Sequence, residues 1–180
     1  ENIRTKATTN SDCEIIIYLY QIFGIEYTLN LLDGVFAFIL IDNNINKIFV
    51  SRDPYGVRPI FYLKNSKNIN NITPETNIIA FASEIKQLYG FIEKETDNCL
   101  EIKPIIPGSY ITLELSDVSN WYITSQQQYT TYVLNRIGPS FETLKLDEIL
   151  DNIHDVFCEA IIKRVQTTDR PIACLLSGGL

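Results

Sequence analysis

Three charged side chains crowd one short stretch. Arg52, Asp53 and Arg58 stand in Ser51-Arg52-Asp53-Pro54-Tyr55-Gly56-Val57-Arg58-Pro59, between two apolar runs. An arginine's planar fork binds a carboxylate in two places, so the cluster could grip an acidic ligand. A salt-bridged turn that fixes strand register is the other reading. Glu84 follows a later apolar run and is a natural partner for one of these arginines. Asp12 precedes the first helical pattern and reads either as a helix cap or as a carboxylate at a cleft edge, able to hold an ammonium group. Near the far end, Ala173-Cys174-Leu175-Leu176 leads into Ser177-Gly178-Gly179. Backbone N–H groups unhindered by Cβ atoms, at the start of a helix, suit a pyrophosphate. Without the helix the same residues are a plain turn, and they match neither the Walker A pattern nor the dinucleotide fingerprint.

The remaining reactive residue types point to less. The four cysteines, Cys13, Cys99, Cys158 and Cys174, form no CxxC, and one histidine, His154, supports no metal-ligand spacing. The expectation is therefore no metal site, reduced thiols in a cytosolic, cytoplasmic protein, and no cysteine with a local base that would make it a nucleophile. His154 is expected to be packed or capped on its helix. Fifteen Lys and Arg against twenty-two Asp and Glu give a charge of −7 with no basic run. That balance argues against a nucleic-acid partner, which needs cations to displace counterions from phosphates. No apolar run reaches the ~18–20 residues of a membrane span.

The elements that must position these residues follow from periodicity. Ile16, Ile17, Leu19, Tyr20 and Phe23 recur at helical spacing, with Ser11 and Asp12 before them and Gly24 closing the segment. Residues 35–41 are nearly all apolar and read as a strand buried on both faces. Residues 47–51 and 60–63 return as further strands across turns at Asp42-Asn43-Asn44 and Pro54-Tyr55-Gly56, an antiparallel meander. Residues 78–82 make a fourth strand, 84–88 a short helix and 109–115 another strand, while the polar, Gln-rich residues 120–140 read mostly as linker. Beyond them Leu146, Ile149, Leu150, Ile153, Phe157, Ala160 and Ile161 make a long amphipathic helix ending near Arg164, and 172–176 a buried strand. Helix, strand and Gly-rich turn in that order open an α/β nucleotide-binding domain. The 180 residues suit one domain and part of another, and the absence of any methionine marks a piece of a longer protein.

Taken in order, the motifs say more than any one alone. Ser11-Asp12-Cys13-Glu14, Leu32-Asp33-Gly34-Val35-Phe36-Ala37-Phe38, Arg52-Asp53-x-x-Gly56-x-Arg58-Pro59, Ala82-Ser83-Glu84 and Pro107-Gly108-x-Tyr110 are followed by Cys174-Leu175-Leu176-Ser177-Gly178-Gly179-Leu180. This succession resembles the class II glutamine amidotransferases, and with its closing loop the glutamine-hydrolysing asparagine synthetase family, over essentially the whole chain. The resemblance implies an α+β fold, the αββα N-terminal-nucleophile sandwich of antiparallel sheets, over residues 1–128. A linker at 129–142 and the first helix and strand of an α/β ATP-pyrophosphatase domain at 143–180 would follow.

It also implies a carbon–nitrogen ligase with glutamine as nitrogen donor. Its substrates are glutamine, aspartate and ATP with Mg²⁺, and it works through a β-aspartyl-AMP intermediate and channelled ammonia; a homodimer is compatible with it. Asp12 matches the aspartate that binds the glutamine ammonium group. Leu176 matches the residue whose backbone meets adenine, and Ser177, Gly178 and Gly179 the start of the pyrophosphate loop. Arg52 and Glu84 are assigned to a structural charge pair behind the glutamine cleft. The family's N-terminal cysteine nucleophile, its carboxylate-binding arginine and its Asn-Gly oxyanion pair have no match here, and Cys13 is not that cysteine, so this chain by itself is expected to be inactive. Two other implications stay open: a related ATP-dependent amide ligase resembling β-lactam synthetase, and a non-catalytic glutamine-binding relative. Amidophosphoribosyltransferase shares the first fold but not the second domain.

Overall fold

An antiparallel pairing of apolar strands organises most of the chain. The computed structural model describes residues 8–9, 11–65, 78–93, 100–115, 121–130, 145–168, 170–176 and 178. Two units, Glu1–Tyr132 and Val133–Leu180, each hold together by their own contacts.

In the first unit, helix α1 (Glu14–Leu31) opens with an acidic residue against its positive N-terminal end. Gly24 lies inside it at φ 77° and ψ 175°, so the helix bends there and restarts rather than ending. A positive φ is inexpensive only for glycine, and the second segment lowers Leu29 into full burial. Expecting the helix to close at Gly24 therefore recognised the break but not its continuation.

Strands β1 (Ala37–Asp42) and β2 (Lys47–Arg52) form a hairpin whose turn carries Asn46 at φ 52°. Asparagine tolerates that region better than most residues. Next come β3 (Phe61–Asn65), β4 (Ile78–Ala82), helix α2 (Lys86–Ile92), β5 (Leu100–Pro104), β6 (Ser109–Leu115) and β7 (Trp121–Gln128). They make a four-stranded sheet in the order β1-β2-β6-β7 and a three-stranded sheet in the order β4-β3-β5, antiparallel throughout.

The alternation of β2 shows how the layers stack. Val50 joins Ile111 and Leu113 of β6 in a core shared with Tyr62 of β3, Ile60 and Ile105. Its neighbour Phe49 points the other way, against Leu29 of α1 and Tyr110. One face of the larger sheet thus meets the second sheet and the other meets α1. Helix α2 contacts β4 and buries Leu88. The described architecture is α+β, two antiparallel sheets with helices.

Several expectations change. The strands are not a meander: β3 leaves for the second sheet, and β6 takes the place beside β2. Strand β1 is not buried on both faces. It is an edge strand, and on the side facing away from α1 Ile39 and Ile41 stay 44% and 59% exposed. Eight of the residues expected to be mostly linker, 121–128, form β7, whose Trp121 and Ile123 pack against the inter-sheet core. Strand β5, which alternates Leu100, Ile102 and Pro104 with Glu101 and Lys103, was not foreseen.

In the second unit α3 (Leu146–Gln166) has Asp147 and Glu148 in its first turn and Lys163 and Arg164 in its last, as the helix dipole favours. Residues 172–176 form no strand, and Leu175 and Leu176 are fully exposed. A buried strand needs neighbours for its N–H and C=O groups, and the described residues of this unit hold no other strand.

Truncating a side chain between the sheets should therefore differ sharply from truncating one on the open edge. Ile111→Ala is expected to lose about 2–5 kcal/mol of stability, and Ile41→Ala to stay within about 0.5 kcal/mol. Urea unfolding followed by tryptophan fluorescence measures both, and equal losses would contradict the assignment of the core.

Candidate functional site

The corner after β2 is the most densely bonded part of the first unit. Asp53 is fully buried. Its Oδ1 accepts from the N–H groups of Tyr55 at 3.1 Å and Val57 at 3.0 Å, and its Oδ2 from that of Arg58 at 2.9 Å. Its backbone N–H donates to Phe36 at 2.8 Å, and its carbonyl accepts from Gly56 at 3.0 Å and Gly108 at 2.9 Å. Arg52 encircles the same loop from outside. Nε donates to the carbonyl of Arg58 at 2.9 Å, Nη1 to that of Ile105 at 2.8 Å and Nη2 to that of Gly56 at 2.7 Å. Gly56, at φ 64°, fits because a Cβ would stand 2.7 Å from Pro107 Cγ and 3.0 Å from Arg52 Cζ.

The structure changes both readings of this cluster where Arg52 and Asp53 are concerned. Arg52 is not positioned to grip a ligand, since its fork already faces three carbonyls, and among the described residues the turn is held by side-chain-to-backbone hydrogen bonds rather than a salt bridge. Arg52 does not pair with Glu84 either. Glu84 is exposed and bridges Lys86, a neighbour two residues along the chain. Three carbonyls at fixed positions satisfy a guanidinium without the desolvation of a second charge, and that outcome prevails here.

The approach to α1 is different in kind. Ser11 accepts the Cys13 N–H on its Oγ at 3.3 Å and the Glu14 N–H on its carbonyl at 3.3 Å. No side-chain cap bond is made, so Asp12 is not a helix cap. Its exposed carboxylate has one contact among the described residues, the Cys13 thiol at 3.6 Å.

Glu14 draws back the preceding segment. Oε1 accepts from the Thr8 N–H at 2.9 Å, the Thr8 hydroxyl at 3.0 Å and the Tyr18 hydroxyl at 2.9 Å. Oε2 accepts from the Thr9 N–H at 2.8 Å and the Thr9 hydroxyl at 2.5 Å. The Thr9 hydroxyl foremost, then the Thr8 amide, holds the Glu14 carboxyl down at about 2. Sequence reasoning missed Glu14, although Ser11-x-x-Glu14 has the spacing of a capping box. Here the glutamate reaches past Ser11 to the two threonines.

Beside this turn a cavity of about 550 Å³ runs between α1 and the edge strand β1, lined by Cys13, Ile16, Tyr20, Phe38, Leu40 and Asn43 among others. Tyr20 closes one side by donating to Asp42 Oδ2 at 2.7 Å. Burial first, and that carboxylate second, push its hydroxyl up to about 12.

In the second unit, Ser177 and Gly179 lie outside the described residues, Leu176 is fully exposed and Gly178 has φ 66°. His154 is neither packed nor capped in this chain. It is three-quarters exposed, with Nδ1 3.3 Å from Asp155 Oδ1 and Nε2 3.6 Å from the thiol of Cys158. A base beside one cysteine was thus also missed, and the i, i+4 spacing of His154 and Cys158 was its signal. Among the described residues no His, Cys, Asp and Glu group could hold a metal, and no helix is long and apolar enough to cross a membrane.

Two measurements test this geometry. Asp53→Asn places an amide donor where only acceptors fit, so a loss of about 2–4 kcal/mol is expected. Arg58→Ala, whose backbone makes the contacts, should stay within about 0.5 kcal/mol in the same unfolding assay. A large loss for Arg58→Ala would restore the salt-bridged turn. For Glu14 the folded-state value lies below the ordinary 4.5, so its contribution is present above that pH and is lost as pH falls toward about 2. The amide resonances of Thr8 and Thr9 should accordingly titrate with a midpoint near 2. A midpoint at the ordinary carboxylate value would show that the clamp does not form.

Comparison with known proteins now bears on these features. Residues 1–117 match the family model described as a glutamine amidotransferase domain. Proteins of Rattus norvegicus and Mus musculus, each named asparagine synthetase (glutamine-hydrolyzing), are 39% and 40% identical over 179 residues, 96% of this chain and 30% of theirs. The Homo sapiens protein of that name is 35% identical over 181 residues with the same coverage. The chain therefore spans about three tenths of the length of these curated relatives. The solved glutamine phosphoribosylpyrophosphate amidotransferase of B. subtilis covers 72% of this chain, and the chain 25% of it, at 16% identity and a TM-score of 0.47, which is too low to carry weight for fold or function. With the family model spanning 117 of its 180 residues, the chain belongs to the glutamine amidotransferase domain family.

Proposed function

We propose that this chain is part of a glutamine-hydrolysing asparagine synthetase, a carbon–nitrogen ligase that takes its nitrogen from glutamine. One observation carries the reading. The similarity to the rat and mouse proteins covers 96% of the chain, so it runs past the amidotransferase match at residue 117 and into the second unit. A relative sharing only the amidotransferase domain would stop short of that unit.

In this reading residues 1–128 form an amidotransferase domain of αββα type, 129–142 connect it and 143–180 begin the synthetase domain. A cysteine thiol with no match in this chain attacks the glutamine amide and releases ammonia, and water then hydrolyses the thioester, two easier steps in place of one. Asp12 supports glutamine binding through its exposed carboxylate just before α1, whose one contact among the described residues is the Cys13 thiol, and which suits the substrate's ammonium group. The resemblance assigns the backbone of Leu176 to adenine and Ser177, Gly178 and Gly179 to the pyrophosphate of ATP. Gly178 fits in one respect, since at φ 66° no described atom stands within 4 Å of where a Cβ would be. ATP would supply the leaving group that makes an aspartate carboxylate acylating. Mg²⁺ finds no ligand group among the described residues, and no step is assigned to it here. A cytoplasmic enzyme, acting on glutamine and aspartate and free to form a homodimer, completes the reading.

The full-length protein should make asparagine from aspartate and ATP with either glutamine or ammonium as nitrogen donor. Asp12→Asn should raise the glutamine KM by about tenfold or more, the loss of one charged contact. Product from ammonium alone would make the first domain a scaffold or glutamine binder, and product from neither would point to another ATP-dependent amide ligase.

A further inference from the structure

Glu14 does more than start a helix. A carboxylate offers about four lone-pair directions, and the five donors from Thr8, Thr9 and Tyr18 occupy them. The bonds reach back five and six residues and so tie Thr8 and Thr9 to the first turn of α1. Between them the Ser11 N–H donates to the Thr9 hydroxyl at 3.3 Å, and Ser11 in turn accepts from Cys13 and Glu14. Thr8, Thr9, Ser11 and Glu14 are thereby engaged with one another. Asp12, between Ser11 and Glu14, keeps a carboxylate whose one contact among the described residues is a thiol.

We propose that Glu14 is a positioning residue: by clamping Thr8 and Thr9 to the first turn of α1 it holds Asp12 in place to receive the ammonium group of the substrate. The inference rests on Asp12 being the ammonium site. Two consequences give the clamp its value. Thr8, Thr9 and Ser11 are held by these bonds before the ligand arrives, so binding does not bear the entropy of fixing them. Glu14 is also kept from competing for the cation, since its lone pairs already face donors.

The test is steady-state glutaminase kinetics on the full-length protein, with thermal unfolding of each variant. Glu14→Gln keeps the shape but turns an N–H₂ toward the threonine amides, and should raise the glutamine KM by about three- to tenfold with kcat within about twofold. Thr9→Val removes one donor from Oε2 and should raise KM by about threefold, so the question survives if a Glu14 variant folds poorly. Glu14→Gln should lower the melting temperature, because the carboxylate's contribution goes with it, and Thr9→Val should lower it less. Asp12→Asn run alongside separates the two ways of failing. If Asp12→Asn raises KM while Glu14→Gln and Thr9→Val leave it unchanged, the clamp does not position Asp12. If all three leave it unchanged, Asp12 is not the ammonium site and the inference falls with that reading. A rise in KM matched by an equal fall in kcat would make Glu14 a structural residue only and overturn the proposal.

Discussion

A buried carboxylate with no cation bonded to it sets the frame of the first unit. Asp53 gives up water on both oxygens and receives three backbone N–H groups in return. Hydrogen bonds to a charged group are worth roughly 1.5–3 kcal/mol each, and leaving such a group unsatisfied costs more. The loop from Pro54 to Arg58 therefore has little freedom, because any conformation that withdraws an N–H strands part of a buried charge. Arg52 applies the same logic with opposite sign, its donors facing the carbonyls of Gly56, Arg58 and Ile105. The two side chains, adjacent in sequence, hold the loop's N–H and C=O groups separately.

Much of the architecture follows from that corner. It ends β2 in one sheet and carries the chain to β3 in the other. The Ile105 carbonyl held by Arg52 and the Gly108 N–H held by the Asp53 carbonyl tie the β5–β6 connection to the same point. Gly108 in turn accepts the N–H of Tyr129 at 3.0 Å, and the Tyr129 hydroxyl donates to the Arg52 carbonyl at 2.8 Å. The crossings between sheets and the exit of β7 thus share one hydrogen-bonded cluster, and the inter-sheet core of Val50, Tyr62, Ile105 and Ile111 lies beside it.

What the sequence made legible was what local pattern controls. Apolar alternation located β2, β6 and most of α3, and Asp-Asn-Asn located the hairpin turn, because those signals depend on neighbours in the chain. Which strand pairs with which depends on the corner at Asp53, and no periodicity reports that an arginine faces carbonyls instead of Glu84. Strand β7 was hidden because Gln126, Gln127 and Gln128 look like linker, although Trp121 and Ile123 carry the alternation. The burial expected of 35–41 and 172–176 failed for a common reason: apolar content says a segment can be covered, not that a neighbour is there to cover it. Of the candidate site, the motif pointed to Asp12 as a candidate, while Glu14 went unnoticed, since its partners Thr8 and Thr9 precede it outside any helical pattern.

In a chain carrying −7, an acidic side chain alone identifies nothing. The distinction lies in what each carboxylate already holds. Asp53 is closed by three amides, Glu14 by five donors, and Asp42 by the hydroxyl of Tyr20 and the amide of Asn44. Each of these acids stabilises a particular stretch of backbone or a packing contact, and a ligand cation would have to displace a donor to reach it. Asp12 stands two residues before the start of α1, between residues held by others, with a weak thiol donor as its described partner. The surrounding hydrogen bonds locate that one acceptor without consuming it. A cation can therefore bind there without disturbing the fold, which is the physical condition a preorganised ammonium site has to meet.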